Sequence, residues 1–256
     1  MKLVTSRDNA LYKELKQLAT SSQSRRKSAT TLLDGVHLCQ AYLDQVGQPE
    51  WCVVNEMSQH HPEIASLLAR SAHQLVLSDV LYQSLSQVEH GVGIFFVIPI
   101  VQQTGAGQVT ETAVMLENLQ DPGNLGSLLR SAAAAGIRKI FCSADTVSAW
   151  SPKVLRAGMG AHFLLDIHEN ADLTGLLKNS GLTVLATSSH ATKTIYQSDL
   201  SQNVIWLFGH EGQGISDQLM QYATDQVSIP HRGNIESLNV AASAAICFFE
   251  QVRQSS

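Results

Sequence analysis

Ile229-Pro-His-Arg-Gly-Asn-Ile-Glu-Ser-Leu-Asn239, running on into Val240-Ala-Ala-Ser-Ala-Ala-Ile-Cys-Phe248, decides how the rest of the chain reads. A short apolar strand over Gln226–Ile229 stops at Pro230, a polar loop follows, and an Ala-rich helix begins near Ser237 and Asn239. Taken alone, either residue reads as a helix N-cap, its side-chain oxygen accepting an otherwise unpaired backbone N–H. Two more polar, glycine-bearing loops at strand ends shift that balance. They are Asn118-Leu-Gln-Asp-Pro-Gly-Asn-Leu-Gly126 and Phe208-Gly-His-Glu-Gly-Gln-Gly214. Three such loops predict one site at the carboxyl ends of a parallel sheet.

The strands around these loops support that architecture. Ala113–Leu116, Lys139–Cys142, Leu182–Ala186 and Val204–Phe208 are continuous apolar runs, as strands covered on both faces are. Helices are expected between them. The first half alternates as well. It has a helix over Asn9–Ala19, a polar loop over Thr20–Lys27, and strands at Thr30–Leu33, Trp51–Val54, Gln74–Leu77 and Ile94–Ile98. Helices over Val36–Val46, Pro62–Arg70 and Asp79–Gln87 fall between those strands. The fold class is α/β. Residues 1–100 form one domain, 101–110 a Gly/Gln/Thr-rich linker and 111–256 a second domain. A fragment starting near Gly107 is expected to fold alone.

Composition narrows the function classes. With 256 residues, 44% hydrophobic and 15% charged, the chain is a folded globular protein. No apolar run approaches membrane-spanning length, and Met1–Arg7 leads into charged sequence without a signal-peptide core, so a cytoplasmic protein is expected. Cys39, Cys52, Cys142 and Cys247 form no C-x-x-C pair and read as reduced, buried groups. His60-His61 has no companion ligands, so no metal site is expected. The net charge is −5, yet residues 1–27 carry a local +5 from Lys2, Arg7, Lys13, Lys16, Arg25, Arg26 and Lys27 against Asp8 and Glu14. A second basic zone holds Arg130, Arg138, Lys139, Lys153 and Arg156. Two basic zones on an acidic body predict a localised polyanion contact.

Within the first loop-and-helix segment, Leu125, Leu128, Leu129, Ala132 and Ala133 share a helical face, and Arg130 lies off it. The segment is not the G-x-G-x-x-G dinucleotide fingerprint, and the chain has no P-loop, which disfavours a nicotinamide enzyme. In the second loop Glu211 sits among glycines, placed to orient a cationic side chain or a ligand amine.

In order and wording the three segments, Asp121-Pro-Gly-Asn-Leu-Gly-Ser-Leu-Leu-Arg130, Phe208–Ile215 and Ile229–Val240, resemble the motifs of the SpoU (TrmH-type) RNA ribose 2′-O-methyltransferases. The first half is similar, less specifically, to the RNA-binding domain that precedes many of them. It carries Ser6-Arg-Asp-Asn9 and then Leu33-Asp-Gly-Val36. The resemblance implies S-adenosylmethionine as cofactor, a trefoil knot near the C-terminus and a homodimer with its site at the interface. It implies Thr187, Gly209, Gly214, Ile229 and Leu238 as cofactor-lining positions, and Asn124, Arg130, Glu211, Ser237 and Asn239 as catalytic and RNA-side ones. Lys13, Lys16, Arg25, Arg26 and Lys27 are the expected RNA contacts of the first domain. Two departures from the family pattern are His210, where a small residue is common, and Gly158, where Ser is frequent. Ribosomal RNA is preferred to transfer RNA as substrate, because an extra domain suits a large structured target. The alternatives are a transfer RNA 2′-O-methyltransferase and a non-catalytic RNA-binding assembly factor.

Overall fold

The structure, a computed structural model, describes residues 2–86, 93–101 and 107–255. In chain order the first elements are β1 (Lys2–Val4), α1 (Ala10–Thr20), α2 (Ser22–Ser28), β2 (Thr30–Asp34), α3 (Val36–Gln45), β3 (Trp51–Asn55), α4 (Pro62–Ala69), β4 (Gln74–Leu77), α5 (Asp79–Gln83) and β5 (Ile94–Pro99). Next come β6 (Ala113–Leu116), α6 (Pro122–Ala134), β7 (Lys139–Cys142), α7 (Pro152–Gly158) and β8 (Asp166–His168). The chain closes with α8 (Leu173–Lys178), β9 (Thr183–Thr187), β10 (Val204–Phe208), α9 (Asp217–Met220), β11 (Asp225–Val227) and α10 (Val240–Ser255). By contacts the chain divides into two compact units, Met1–Val101 with Trp150–Phe163, and Gln102–Ala149 with Leu164–Ser256. Of the expected linker, residues 102–106 lie outside the described residues, as does Gln87 of the expected helix over Asp79–Gln87.

The first unit is built on a mixed sheet of order β1-β4-β3-β5-β2, in which only β5 runs against its neighbours. Helix α1 forms because Asn9 caps it, accepting from Tyr12 N at 3.2 Å, and because Tyr12, Leu15 and Leu18 fall on one face. That face is buried against Leu32, Val53, Leu77 and Phe95 of the sheet. The expected polar loop at Thr20–Lys27 is instead mostly α2. Ser21 caps it, accepting from Ser24 N at 3.1 Å, and Ala29 ends it in the left-handed region at φ 53°. Polar composition hides this helix because its inward residue is Arg25, 6% exposed, whose Nη1 donates to Leu18 O at 2.8 Å. Edge strand β2 is buried along its whole length. The Trp150–Phe163 segment packs on it, with Thr31 Oγ1 donating to Trp150 O at 2.7 Å. This cover removes the hazard of an open edge.

The second unit has a six-stranded, all-parallel sheet of order β11-β9-β10-β6-β7-β8. Both β6 and β10 are buried throughout, which explains their continuous apolar sequence. From β6 the chain moves outward through β7 and β8, then crosses to β9 on the other side. The point of reversal therefore lies between β6 and β10, whose last residues Leu116 and Phe208 are in register. Helices α6 and α10 pack together, and Phe248 of α10 meets Phe208 and Trp206 edge-on at 5.8 and 6.4 Å. Buried Trp206 Nε1 donates to Gln251 Oε1 at 2.8 Å, so the indole is satisfied inside the core. Strands β1 and β8, three residues each, are edge strands too short to leave a sequence pattern. All four cysteines are free and buried. Burial pushes their thiols up, Cys52 and Cys247 to about 12, so none is poised as a nucleophile.

Candidate active site

Two of the three motif loops leave adjacent strand ends at the reversal point, and one carboxylate joins them. Asp121 caps α6 by accepting from Asn124 N at 2.7 Å, with Pro122 in the first helical position. This turns the Asn124 side chain toward the loop after β10. There Glu211 Oε1 accepts from Asp121 N at 3.0 Å and Asn124 Nδ2 at 3.1 Å, while Oε2 accepts from Gln120 N at 3.2 Å. Burial pushes the Glu211 carboxyl up. The hydrogen bonds from Asn124 and from backbone N–H groups outweigh it and hold it below the usual carboxylate range. Glu211 is thus an ionised clasp between loops, and the groups it binds in the chain itself are backbone and amide N–H donors.

The third loop enters through Asn239. Its Nδ2 donates to Asn124 Oδ1 at 2.8 Å, and its Oδ1 accepts from Ala241 N and Ala242 N at the start of α10. Asn239 is therefore an N-cap, as its sequence position suggested, and a member of the site as well. A continuous relay, Glu211 to Asn124 to Asn239 to the α10 N-terminus, links residues as far apart as 124 and 239. Ser237 is exposed and outside the relay, with no hydrogen bond among the described residues.

The glycine loop closes on itself. His210 N donates to Gly214 O at 3.0 Å and Gly214 N to His210 O at 2.8 Å, with Gly214 left-handed at φ 71°. A Cβ on Gly209 would fall on the Gly214 carbonyl and the Ile215 nitrogen. Gly209 is thus required first by this closure. His210 Nδ1 accepts from Gly212 N at 2.9 Å and Gln213 N at 3.2 Å. These bonds make His210 a brace of the loop.

The positions expected to line the cofactor lie at or after the carboxyl ends of the same strands. Thr187 ends β9, its Oγ1 donating to Leu207 O at 3.2 Å. Gly209 follows β10, Ile229 lies two residues past β11, and Leu238 immediately precedes Asn239. Gly209 is buried and Ile229 and Leu238 half-buried, yet among the described residues their backbone groups have no hydrogen-bond partner. Buried backbone groups are nearly always paired. Of the three only Gly209 is buried, and its unpaired backbone at the end of β10 fits an adenosyl group, which carries donors and acceptors on a flat ring. Among the described residues no group of His, Cys, Asp and Glu could hold a metal ion.

Arg130 stands on the exposed stripe of α6 with Gly123 and Ser127, opposite buried Leu125, Leu128 and Leu129. Its guanidinium has no partner among the described residues. It lies about 9 Å of helix rise beyond Asn124, and helical side chains lean back toward the N-terminus. Of the expected RNA contacts, Lys16, Arg26 and Lys27 are exposed, and Lys13 pairs with Asp8 at 3.0 Å in a fully solvated position. Arg25 is the exception: its guanidinium is committed to Leu18 O inside the fold, so it is a structural group and not a contact. In the second basic zone, Lys139 is taken by Asp166 at 2.9 Å.

Three further residues, none of them among the expected site positions, support the loops. Glu117 accepts from Ser216 N at 2.7 Å and Ser216 Oγ at 2.6 Å, fastening the far end of the glycine loop. Gln120 Nε2 donates to Asp145 O at 2.6 Å and braces the loop from the β7 side. Asn118 is left-handed at φ 54°, a strained position for a residue with a side chain, and Ser143 holds it there through two hydrogen bonds. The signal available was an acid directly after β6 and a serine directly before α9.

The comparisons with known proteins agree with this geometry. The family model described as SpoU rRNA Methylase family matches residues 111–249. An uncharacterized tRNA/rRNA methyltransferase of Synechocystis is 35% identical over 98% of this chain and 93% of its own length. The 23S rRNA guanosine 2′-O-methyltransferase RlmP of Bacillus subtilis is 28% identical, covering 97% of this chain and 98% of its own. Among solved structures, an RNA 2′-O ribose methyltransferase superposes with a TM-score of 0.84 at 28% identity, over 99% of both chains. The AdoMet-bound rRNA methyltransferase of Sinorhizobium meliloti gives 0.82 at 26% identity, over 98% of this chain and 97% of its own. With three motif loops drawn into one relay at the reversal point of a parallel sheet, the chain belongs to the SpoU rRNA methylase family and is a methyltransferase.

Proposed function

We propose that this protein transfers a methyl group from S-adenosylmethionine to a ribose 2′-hydroxyl of ribosomal RNA. The observation that carries the reading is the Glu211–Asn124–Asn239 relay, with Arg130 less than two turns further along α6 and without a partner among the described residues. When bound, S-adenosylmethionine supplies an electrophilic methyl carbon on a sulfonium. The chain's task is to hold the ribose oxygen in line with that carbon, so that the oxygen–carbon bond would form as the carbon–sulfur bond breaks, and to stabilise charge as the hydroxyl gives up its proton to solvent. Arg130 does the second, holding the neighbouring phosphate or the developing alkoxide, since an arginine stays protonated and cannot act as base. Asn124 and Asn239 fix each other's amide orientation and present polar edges toward the nucleotide. Glu211 has spent its carboxylate on three donors and shapes the loops. Gly209, Gly214, Thr187, Ile229 and Leu238 line the cofactor pocket.

Family membership supports the finer features of the reading. The C-terminal segment is threaded as a trefoil knot, supported by β10 entering the sheet between the earlier strands β6 and β9. The enzyme acts as a homodimer, supported by an outer face of α10 that leaves Ala242, Phe249 and Val252 exposed, two of them large apolar groups. The first half binds the RNA. Action on ribosomal RNA supports a cytoplasmic location. Among the described residues no helix is long and apolar enough to cross a membrane.

The test is methyl transfer by the purified protein to deproteinised ribosomal RNA and to bulk transfer RNA, with mapping of 2′-O-methyl sites. Arg130→Ala is expected to lose at least about 100-fold in turnover, as removal of an oxyanion donor does, with cofactor affinity unchanged. Turnover by the variant within a few-fold of wild type refutes the assignment. Methylation of transfer RNA alone selects the alternative substrate, and binding of RNA without methylation selects the assembly factor.

A further inference from the structure

Lys153 and Arg156, the last two members of the second basic zone, lie more than a hundred residues from Arg26 and Lys27 in sequence, yet the helices that carry both pairs pack on one strand of the first unit. Lys27 ends its basic run four residues before Thr31 of β2, and Lys153 lies three residues after Trp150. Thr31 Oγ1 donates to Trp150 O at 2.7 Å in a buried position, so both runs emanate from a single fixed point. Helices α2 and α7 both rest on β2. On α7 the buried residues are Pro152, Val154, Leu155 and Gly158, which turns Lys153 and Arg156 outward at a spacing of three. On α2 the buried residue is Arg25, which turns Arg26 and Lys27 outward. Neither helix carries an acid.

Charge is divided between the units accordingly. The first has ten lysines and arginines against nine acids, and the second, which contains the relay, has seven against thirteen. The site that must receive a polyanion is therefore in the more acidic unit, with a formal charge of −6 against +1. The Trp150–Phe163 excursion brings two cations and no acid to the first unit, and without it that unit would be −1.

We infer that α7, a segment of the methyltransferase half of the sequence, completes an RNA-docking surface with α2, in which Arg26, Lys27, Lys153 and Arg156 contact the phosphate backbone. The inference rests on the proposed RNA substrate and adds a surface to it. The contacts are electrostatic and independent of sequence, so they position RNA and leave the choice of nucleotide to the relay. The excursion also couples the RNA grip to the catalytic half by covalent chain on both sides of the segment.

The test is binding of deproteinised ribosomal RNA to the full-length protein as a function of salt, with cofactor affinity and melting temperature as controls. The double variant Lys153→Gln/Arg156→Gln is expected to lower the slope of log affinity against log salt by about 1 for each residue removed. Adding Arg26→Gln/Lys27→Gln lowers it by a similar amount again. Arg156→Lys, which keeps the charge, retains the wild-type slope. Should the double variant be poorly folded, Lys153→Gln alone carries the test at half the amplitude, because its ammonium is exposed with no partner among the described residues. An unchanged slope in a folded variant overturns the surface. If wild type itself binds no RNA, the proposed function fails, a result distinguishable from failure of the surface.

Discussion

Replacing Glu211 with Gln probes whether the clasp between loops organises the site. The carboxylate accepts three hydrogen bonds at 3.0–3.2 Å, two on Oε1 and one on Oε2. A Gln oxygen keeps the first two in weaker, uncharged form. Its amide N–H₂ then faces the Gln120 N–H, donor against donor. Hydrogen bonds to a charged acceptor contribute about 1.5–3 kcal/mol each, and exposure of this carboxylate reduces that toward the lower end. Two weakened bonds and one lost bond amount to roughly 2–3 kcal/mol, equivalent to about a 30- to 150-fold change at ~1.4 kcal/mol per decade. The loss should appear in kcat/KM for methyl transfer. Because these bonds are made in the free protein, melting temperature should fall as well, by roughly 2–4 °C per kcal/mol for a domain of about this size. A variant that retains kcat/KM within threefold of wild type, with wild-type cofactor affinity, would refute the view that Glu211 holds the loops in their working arrangement.

The same carboxylate predicts a pH response. Its folded value is depressed, so the clasp is intact above the ordinary carboxylate range and is lost only as pH falls through the depressed value. Cofactor affinity should therefore hold from neutral pH down to that range and fall below it, and in Glu211→Gln this acid limb should vanish, as calorimetry across pH will check. Gly209→Val should lower both cofactor affinity and melting temperature, since its side chain meets the loop's own backbone at Gly214 and Ile215. An unchanged melting temperature with lost affinity would return Gly209 to a purely ligand-facing role. A fragment beginning near Gly107 should expose Trp150, Val154 and Leu155, whose packing lies in the first unit, and should associate or bind a hydrophobic dye. Replacing Trp150–Phe163 in that fragment by a short Gly/Ser bridge should suppress this, and equal behaviour of the two fragments would count against it.

What the sequence made legible follows from what each residue does locally. The apolar runs of β6 and β10 are readable because burial on both faces leaves no polar alternation, and the cap at Asn239 because capping is local chemistry. Motif wording brought Asn124, Glu211 and Asn239 together, but not the manner of their contact. Nothing in spacing says that Glu211 binds backbone N–H groups rather than a cation, since that depends on β6 and β10 ending side by side. Arg25 failed for the opposite reason. A basic run of Arg25, Arg26 and Lys27 reads as solvated, whereas the helix that forms there turns one of the three inward to Leu18. The division of the chain is the most instructive case. Pro152 to Gly158 has the capped, amphipathic pattern of an ordinary crossover helix, and Ser151 and Pro152 give no sign of which sheet it serves. Its destination is fixed by tertiary partners in the other half, where edge strand β2 needs a cover and Thr31 offers a hydroxyl to Trp150. Local sequence specifies that a helix forms. The open edge of a strand more than a hundred residues away decides where it packs, and the charges on its outer face travel with it.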